Sequence, residues 1–142
     1  MLTETTITVF NRYINPTNDT VLFYRSVMDC HFEQHTGKVG SGAAGSNQAG
    51  AQRAEFFVPH SCAPRGKTYV KPEAFNPEIN ANTFTFSAED IVLIGDVKTS
   101  DYVSSQEMKN LKNENEWYAI ISCENNRFGS YALRHWDVTC TE

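Results

Sequence analysis

Hydrophobic and polar residues alternate with a period of two along much of the chain, which is the pattern of strands with one face buried. The cleanest case lies near the end. The Arg134 stem, Trp136, Val138 and Cys140 share one face there, and His135, Asp137 and Thr139 share the other. Just upstream, residues 118–123 are rich in β-branched and aromatic side chains, which suit a pleated, half-buried surface. Asn125 and Asn126 tolerate positive φ and Gly129 adopts it freely, so a reversal between the two strands is expected at these residues.

The same reading extends back to the start. Residues 5–10 predict a strand with Ile7 and Val9 on one face and Thr6, Thr8 and Phe10 on the other; residues 15–19 read as a turn. Residues 20–33 predict a long strand. Leu22, Tyr24, Met28, Cys30 and Phe32 line one face. Val21, Phe23 and Val27 line the opposite face, which turns polar at Asp29, His31 and Glu33. Burial on both faces at one end and on one face at the other fits a barrel or sandwich better than a helix. Further extended segments fall at residues 54–58, 68–71, 83–86 and 91–94, the last two meeting at a corner that ends in Gly95. Ser104 to Glu107 has the form of a capping box, with Val103 and Met108 as its staple. The helix it opens is expected over about residues 105–112, with Met108 and Leu111 facing inward. About seven strands and one short helix result: an all-β, mainly antiparallel small barrel or sandwich in a single domain over residues 1–142.

Composition narrows the classes of function. A 142-residue chain can bury one sizeable core, and nine Phe, six Tyr and two Trp argue for an ordered one. Its net charge of −5 disfavours a surface that grips nucleic acid, although it leaves room for one that DNA passes without sticking. The four cysteines contain no Cys-x-x-Cys spacing, so zinc and thioredoxin-type motifs are absent. The opening residues have neither the basic nor the apolar region of a secretory leader, so the cysteines are expected to be buried free thiols. The longest purely apolar run, residues 117–121, is too short to span a membrane.

Candidate chemistry is sparse. His31 and His35 have i,i+4 spacing, which joins metal ligands on a helix but separates them by roughly 13 Å on a strand. Cys30 and His31 are neighbours on a strand and point to opposite faces, so they form no nucleophile–base pair. Glu89 and Asp90 read as solvated turn carboxylates. No phosphate loop, nucleophile elbow or dinucleotide fingerprint occurs, and neither an enzyme nor a cofactor is expected. His135, opposite the core-facing Trp136, reads with Asp137 as a surface or subunit-contact residue.

Residues 40–52 are the compositional anomaly. Five of the eight glycines fall between Gly37 and Gly50, and residues 40–52 carry no charge, no aromatic and no β-branched residue. Lys38 and Arg53 flank the stretch, which includes Gly40, Ser41, Gly42, Gly45, Asn47, Gln48, Gly50 and Gln52. Two readings stand open: a flexible connection between strands, or a mobile element that orders against a partner or against other copies of the chain.

The order of motifs resembles a known class. It runs from Ile7–Asn11 through a strand containing Tyr24 and Arg25, the glycine-rich stretch and Tyr69–Pro72. Thr83–Phe86, then Glu89–Val92 with Gly95, and finally Asn126–Ser130 with His135 and Trp136 complete it. This is similar to minor structural (minor capsid) proteins of tailed bacteriophages and prophages, and to head–tail connectors of the stopper, or head-completion, type. The resemblance implies a small barrel made in the bacterial cytoplasm and assembled in the virion neck as a ring, six- or twelve-fold. Its partners would be other copies of itself, portal or adaptor and tail proteins, and passing double-stranded DNA read without sequence specificity. The glycine-rich stretch with Lys38 and Arg53 would face the channel, a role carried over by position and flexibility. Two alternatives remain: another head or tail component such as a tail-completion protein, or a stand-alone barrel binding a peptide or saccharide through Tyr13, Tyr69 or Tyr102.

Overall fold

The computed structural model describes residues 3–36 and 52–142. Lys38, Gly40, Ser41, Gly42, Gly45, Asn47, Gln48 and Gly50, and with them most of the proposed channel loop, lie outside the described residues. The strands are β1 (Thr5–Ile14), β2 (Val21–Thr36), β3 (Gln52–Pro59), β4 (Thr68–Tyr69), β5 (Thr83–Phe84), β6 (Ile91–Ile94), β7 (Tyr102–Ser104), β8 (Trp117–Asn126) and β9 (His135–Thr141). One helix, α1 (Ser105–Glu114), lies between β7 and β8. The expected mainly antiparallel all-β fold with one short helix near residues 105–112 is the observed one.

The main sheet runs β1-β6-β8-β9-β3-β2-β7, and β1 also pairs with β2. Six antiparallel strands therefore close on themselves, with β7 added to β2. The long β2 makes this possible: residues 21–30 pair with β1 and residues 31–36 with β3. Alternation then sorts side chains into two cores. Ile7, Val9, Met28, Phe56, Tyr118 and Val138 point inward and are buried together with the other inward positions, so the barrel is filled rather than hollow. The second core lies outside the barrel wall. Phe10, Phe23, Ile91 and Leu93 meet Val103 and Met108, which pins α1 over the β2–β1–β6–β8 side. Burial on both faces of β1 and of the first half of β2 thus has two separate causes.

The helix starts where the capping box places it. Ser104 Oγ accepts from the Glu107 amide at 3.2 Å and the Glu107 carboxylate accepts from the Ser104 amide at 3.0 Å, satisfying two amides that the first turn leaves unpaired. At the other end the Asn115 side chain donates to the Leu111 carbonyl at 2.9 Å.

Two expectations are corrected and one strand, β7, is added. Asn125 and Asn126 continue β8, paired with Trp136 and His135, and the reversal falls on residues 127–134 with Gly129 at φ 86° and a 3-10 turn over Tyr131–Leu133. Strand β7 carries no alternation long enough to announce it. Asp90 is buried, only 1% exposed, rather than solvated. Register explains its position. Phe10 pairs with Ile91 at the end of the β1–β6 ladder, and beyond it the Asp90 carboxyl accepts from the Arg12 amide at 2.8 Å. Its other oxygen accepts from the Asn11 side-chain amide at 2.8 Å and the Ser87 amide at 2.9 Å. Asn11 in turn bonds the Thr85 backbone in both directions. This fixes Phe84 and Phe86 against Trp136 and closes that mouth of the barrel with aromatic rings.

Candidate interaction surface

With α1 covering one side of the barrel, the β2–β3–β9–β8 side carries the outward residues of four strands. Core positions Ala54, Phe56 and Val58 alternate on β3 with Arg53, Glu55 and Phe57 outward, and β9 repeats this with His135, Asp137 and Thr139 outward. Register then aligns Glu124, Asp137, Phe57 and His31 in one row across β8, β9, β3 and β2. At a strand spacing of about 4.8 Å that row spans roughly 14 Å.

The middle of this wall is aromatic and its margin acidic. The Phe57 ring lies 5.9 Å from both His31 and His135, centroid to centroid. His31 Nδ1 is 3.1 Å from a Glu4 carboxylate oxygen and Nε2 is 3.2 Å from one of Glu33. Partial burial, followed by the Glu55 carboxyl bonded to it and the charge of Glu124, pushes the Asp137 carboxyl up to about 6, while His135 acts in the opposite direction. Among the described residues Asp137 Oδ1 has no hydrogen-bond partner. The His135 Nδ1 lies 3.0 Å from the Leu133 carbonyl, which fixes the orientation of the ring.

His135 and Asp137, expected as contact residues, therefore share one wall. Its other members include Glu33 on β2 and Glu55 and Phe57 on β3. Alternation places all three on the outer faces of their strands, but only strand pairing shows that Glu55 and Phe57 adjoin β9 and that Glu33 adjoins Glu55. Arg53 is exposed on the same side, beside Thr141, and Gln52 pairs with Thr36 at the opposite end of the barrel from the β8–β9 reversal.

That reversal is the second exposed feature. Phe128 is 83% exposed, Tyr131 57% and Leu133 63%, and Arg127 and Arg134 bracket them. The backbone beneath is tied down. Leu133 and Arg134 amides donate to the Ser130 and Tyr131 carbonyls, Arg134 Nε donates to the Gly129 carbonyl at 3.2 Å, and the His60 amide donates to the Arg134 carbonyl at 3.0 Å.

The tyrosines suggested for a ligand groove separate. Tyr13 and Tyr102 both contact Tyr24, with centroids 6.2 and 5.2 Å away, and Phe75 joins them. Tyr69 packs instead into the core against Phe84 and Trp136. Cys30 points into the barrel and His31 out of it, and all four cysteines are free. Among the described residues no group of three or more His, Cys, Asp or Glu is arranged to hold a metal ion, and no helix is long and apolar enough to cross a membrane.

Residues 2–141 match the model of a family described as "Family of unknown function (DUF6751)". The chain belongs to that family. No curated protein and no solved structure matches it. The match covers both barrel cores and the acidic wall, so the surfaces above belong to the family's domain rather than to an appendage.

Proposed function

We propose that the chain is a ring-forming connector of the stopper type in the neck of a tailed-phage virion, joining the DNA-filled head to the tail and helping to retain the DNA. The observation that carries this reading is a filled barrel, closed at one mouth by aromatic rings, whose distinctive chemistry lies on its surface: a four-strand acidic wall with an aromatic centre. A barrel interior packed with side chains has no room for a ligand, so surfaces are left to do the work. Portal or adaptor, tail proteins and neighbouring copies are the partners in this reading, and the net charge of −5 suits a conduit that DNA must traverse without being trapped. Thr36 and Gln52 are register partners, so the intervening glycine-rich segment leaves and rejoins the barrel at one end.

Two measurements test it. Mass spectrometry of purified virions is expected to find the protein, and its absence would sink the reading. Deleting residues 43–50 is expected to leave folding intact but let DNA escape from filled heads; heads that hold DNA normally would refute the stopper role.

A second reading rests on Tyr24 and Tyr102, 5.2 Å apart with Tyr102 half-exposed, and on Tyr13, which also packs on Tyr24. Such a platform suits the flat face of a sugar or a proline-rich peptide. Saturable binding lost in Tyr102→Ala would favour a stand-alone binding module.

A further inference from the structure

The β8–β9 reversal and the acidic wall are complementary in two independent respects, apolar shape and charge sign. The reversal presents Phe128, Tyr131 and Leu133 to solvent on a backbone held by its own hydrogen bonds, so little ordering entropy remains to be lost on docking. Between Glu124 and Asp137 the sequence carries Arg127 and Arg134 and no carboxylate, which makes the tip a basic spot on an acidic protein. The wall inverts that arrangement: the Phe57 ring, in contact with His31 and His135, is its aromatic centre, with Asp137 beside Phe57 in the row and Glu33, Glu55 and Glu124 around it. Apolar anchors seated in a pocket, with opposite charges meeting around the rim, are what specific interfaces are made of.

We propose that the β8–β9 tip of one copy docks on the acidic wall of the next copy, Phe128 lying on the Phe57 row and Arg127 against the wall carboxylates. The tip lies at one mouth of the barrel, whereas Glu33, Glu55 and Phe57 of the wall lie along its side on β2 and β3. The contact is heterologous, each copy giving its tip and receiving another. Repetition of such a contact builds a ring when the rotation closes and a filament when it does not. The inference rests on the connector reading only for that closure; the contact itself stands on the two surfaces.

The test is photo-crosslinking in the full chain with benzoylphenylalanine in place of Phe128, an exposed residue whose replacement leaves the cores untouched. Mixed with an isotope-labelled acceptor copy at high concentration, it is expected to join position 128 of one copy to residues 31–33, 55–57 or 135–137 of the other. Arg127→Glu in the donor should cut the yield on the order of tenfold, and acceptor Glu33→Lys with Glu124→Lys should restore it. Crosslinks to the Tyr24–Tyr102 patch, a yield indifferent to these charges, or no intermolecular product at millimolar protein would each overturn the proposal. Circular dichroism on each variant separates loss of contact from loss of fold. Presence in virions with crosslinks elsewhere removes this contact and keeps the connector reading; the mapped crosslink with absence from virions does the reverse.

Discussion

Replacing Asp90 by Asn tests how the barrel tolerates a carboxyl inside it. Two forces oppose each other there. Burial disfavours the charged form, and three N–H donors, from Arg12, Asn11 and Ser87, favour it. Burial is the larger, and the group is raised from 3.8 to about 7. The folded state therefore holds the proton over a pH range in which the unfolded chain has released it. Stability from this source is complete below the unfolded value of 3.8 and is lost as pH rises through about 7. Roughly three units at 1.36 kcal/mol each make this about 4 kcal/mol. Asn stays neutral throughout, but its amide sets one N–H against a donor, a mismatch of about 1–3 kcal/mol. Urea unfolding of both proteins from about pH 4 to pH 8 reads the difference, and groups titrating equally in both cancel. Asp90→Asn is expected to lose its disadvantage as pH rises, by several kcal/mol over the range. A disadvantage that stays constant or grows with pH would refute the reasoning, because it would put the folded carboxyl at or below its ordinary value.

Two further outcomes follow from the two cores. Met108→Ala empties the centre of the outer core under α1 and is expected to cost about 3 kcal/mol in urea unfolding; a loss below about 1 kcal/mol would mean that α1 is not held by this packing. Burial pushes the thiols of Cys30 and Cys123 up to about 12 from 9.0, and raises Cys140 as well. At mildly alkaline pH their reaction with Ellman's reagent is expected to be about a thousandfold slower than that of free cysteine. Cys62, half-buried, should react first, and rapid reaction of a second thiol in the native protein would contradict the packing.

Much of the fold is legible in the chain because the signals are local. Trp136, Val138 and Cys140 alternate with His135, Asp137 and Thr139, and a single strand suffices to read them. Ser104 and Glu107 announce α1 because a capping box needs only four residues. What depends on pairing is not legible. Asp90 looks like any turn carboxylate until register places it where the β1–β6 ladder stops and the Arg12 amide needs an acceptor. Asn125 and Asn126 have turn chemistry, but pairing with β9 holds them in β8, and tertiary pairing overrides local preference. For the candidate surface, His135 and Asp137 could be placed on the outside. Their neighbours Glu55 and Phe57 could not be joined to them, since no pattern within β3 says that β9 lies beside it.

Closure of the barrel has a consequence for how copies of this protein can meet. A sheet with open sides offers rows of bare amides and carbonyls, and these template the addition of further strands into aggregates. Among the described residues β1 bonds both β2 and β6, so the six-strand circuit closes, and the free sides are confined to strand ends, short β7 and the β4–β5 pair. Association of barrels through their walls therefore runs through side chains. Such contacts can be loosened by salt, altered one residue at a time and undone without unfolding either partner. Closure thus limits the strand-by-strand route to fibrils.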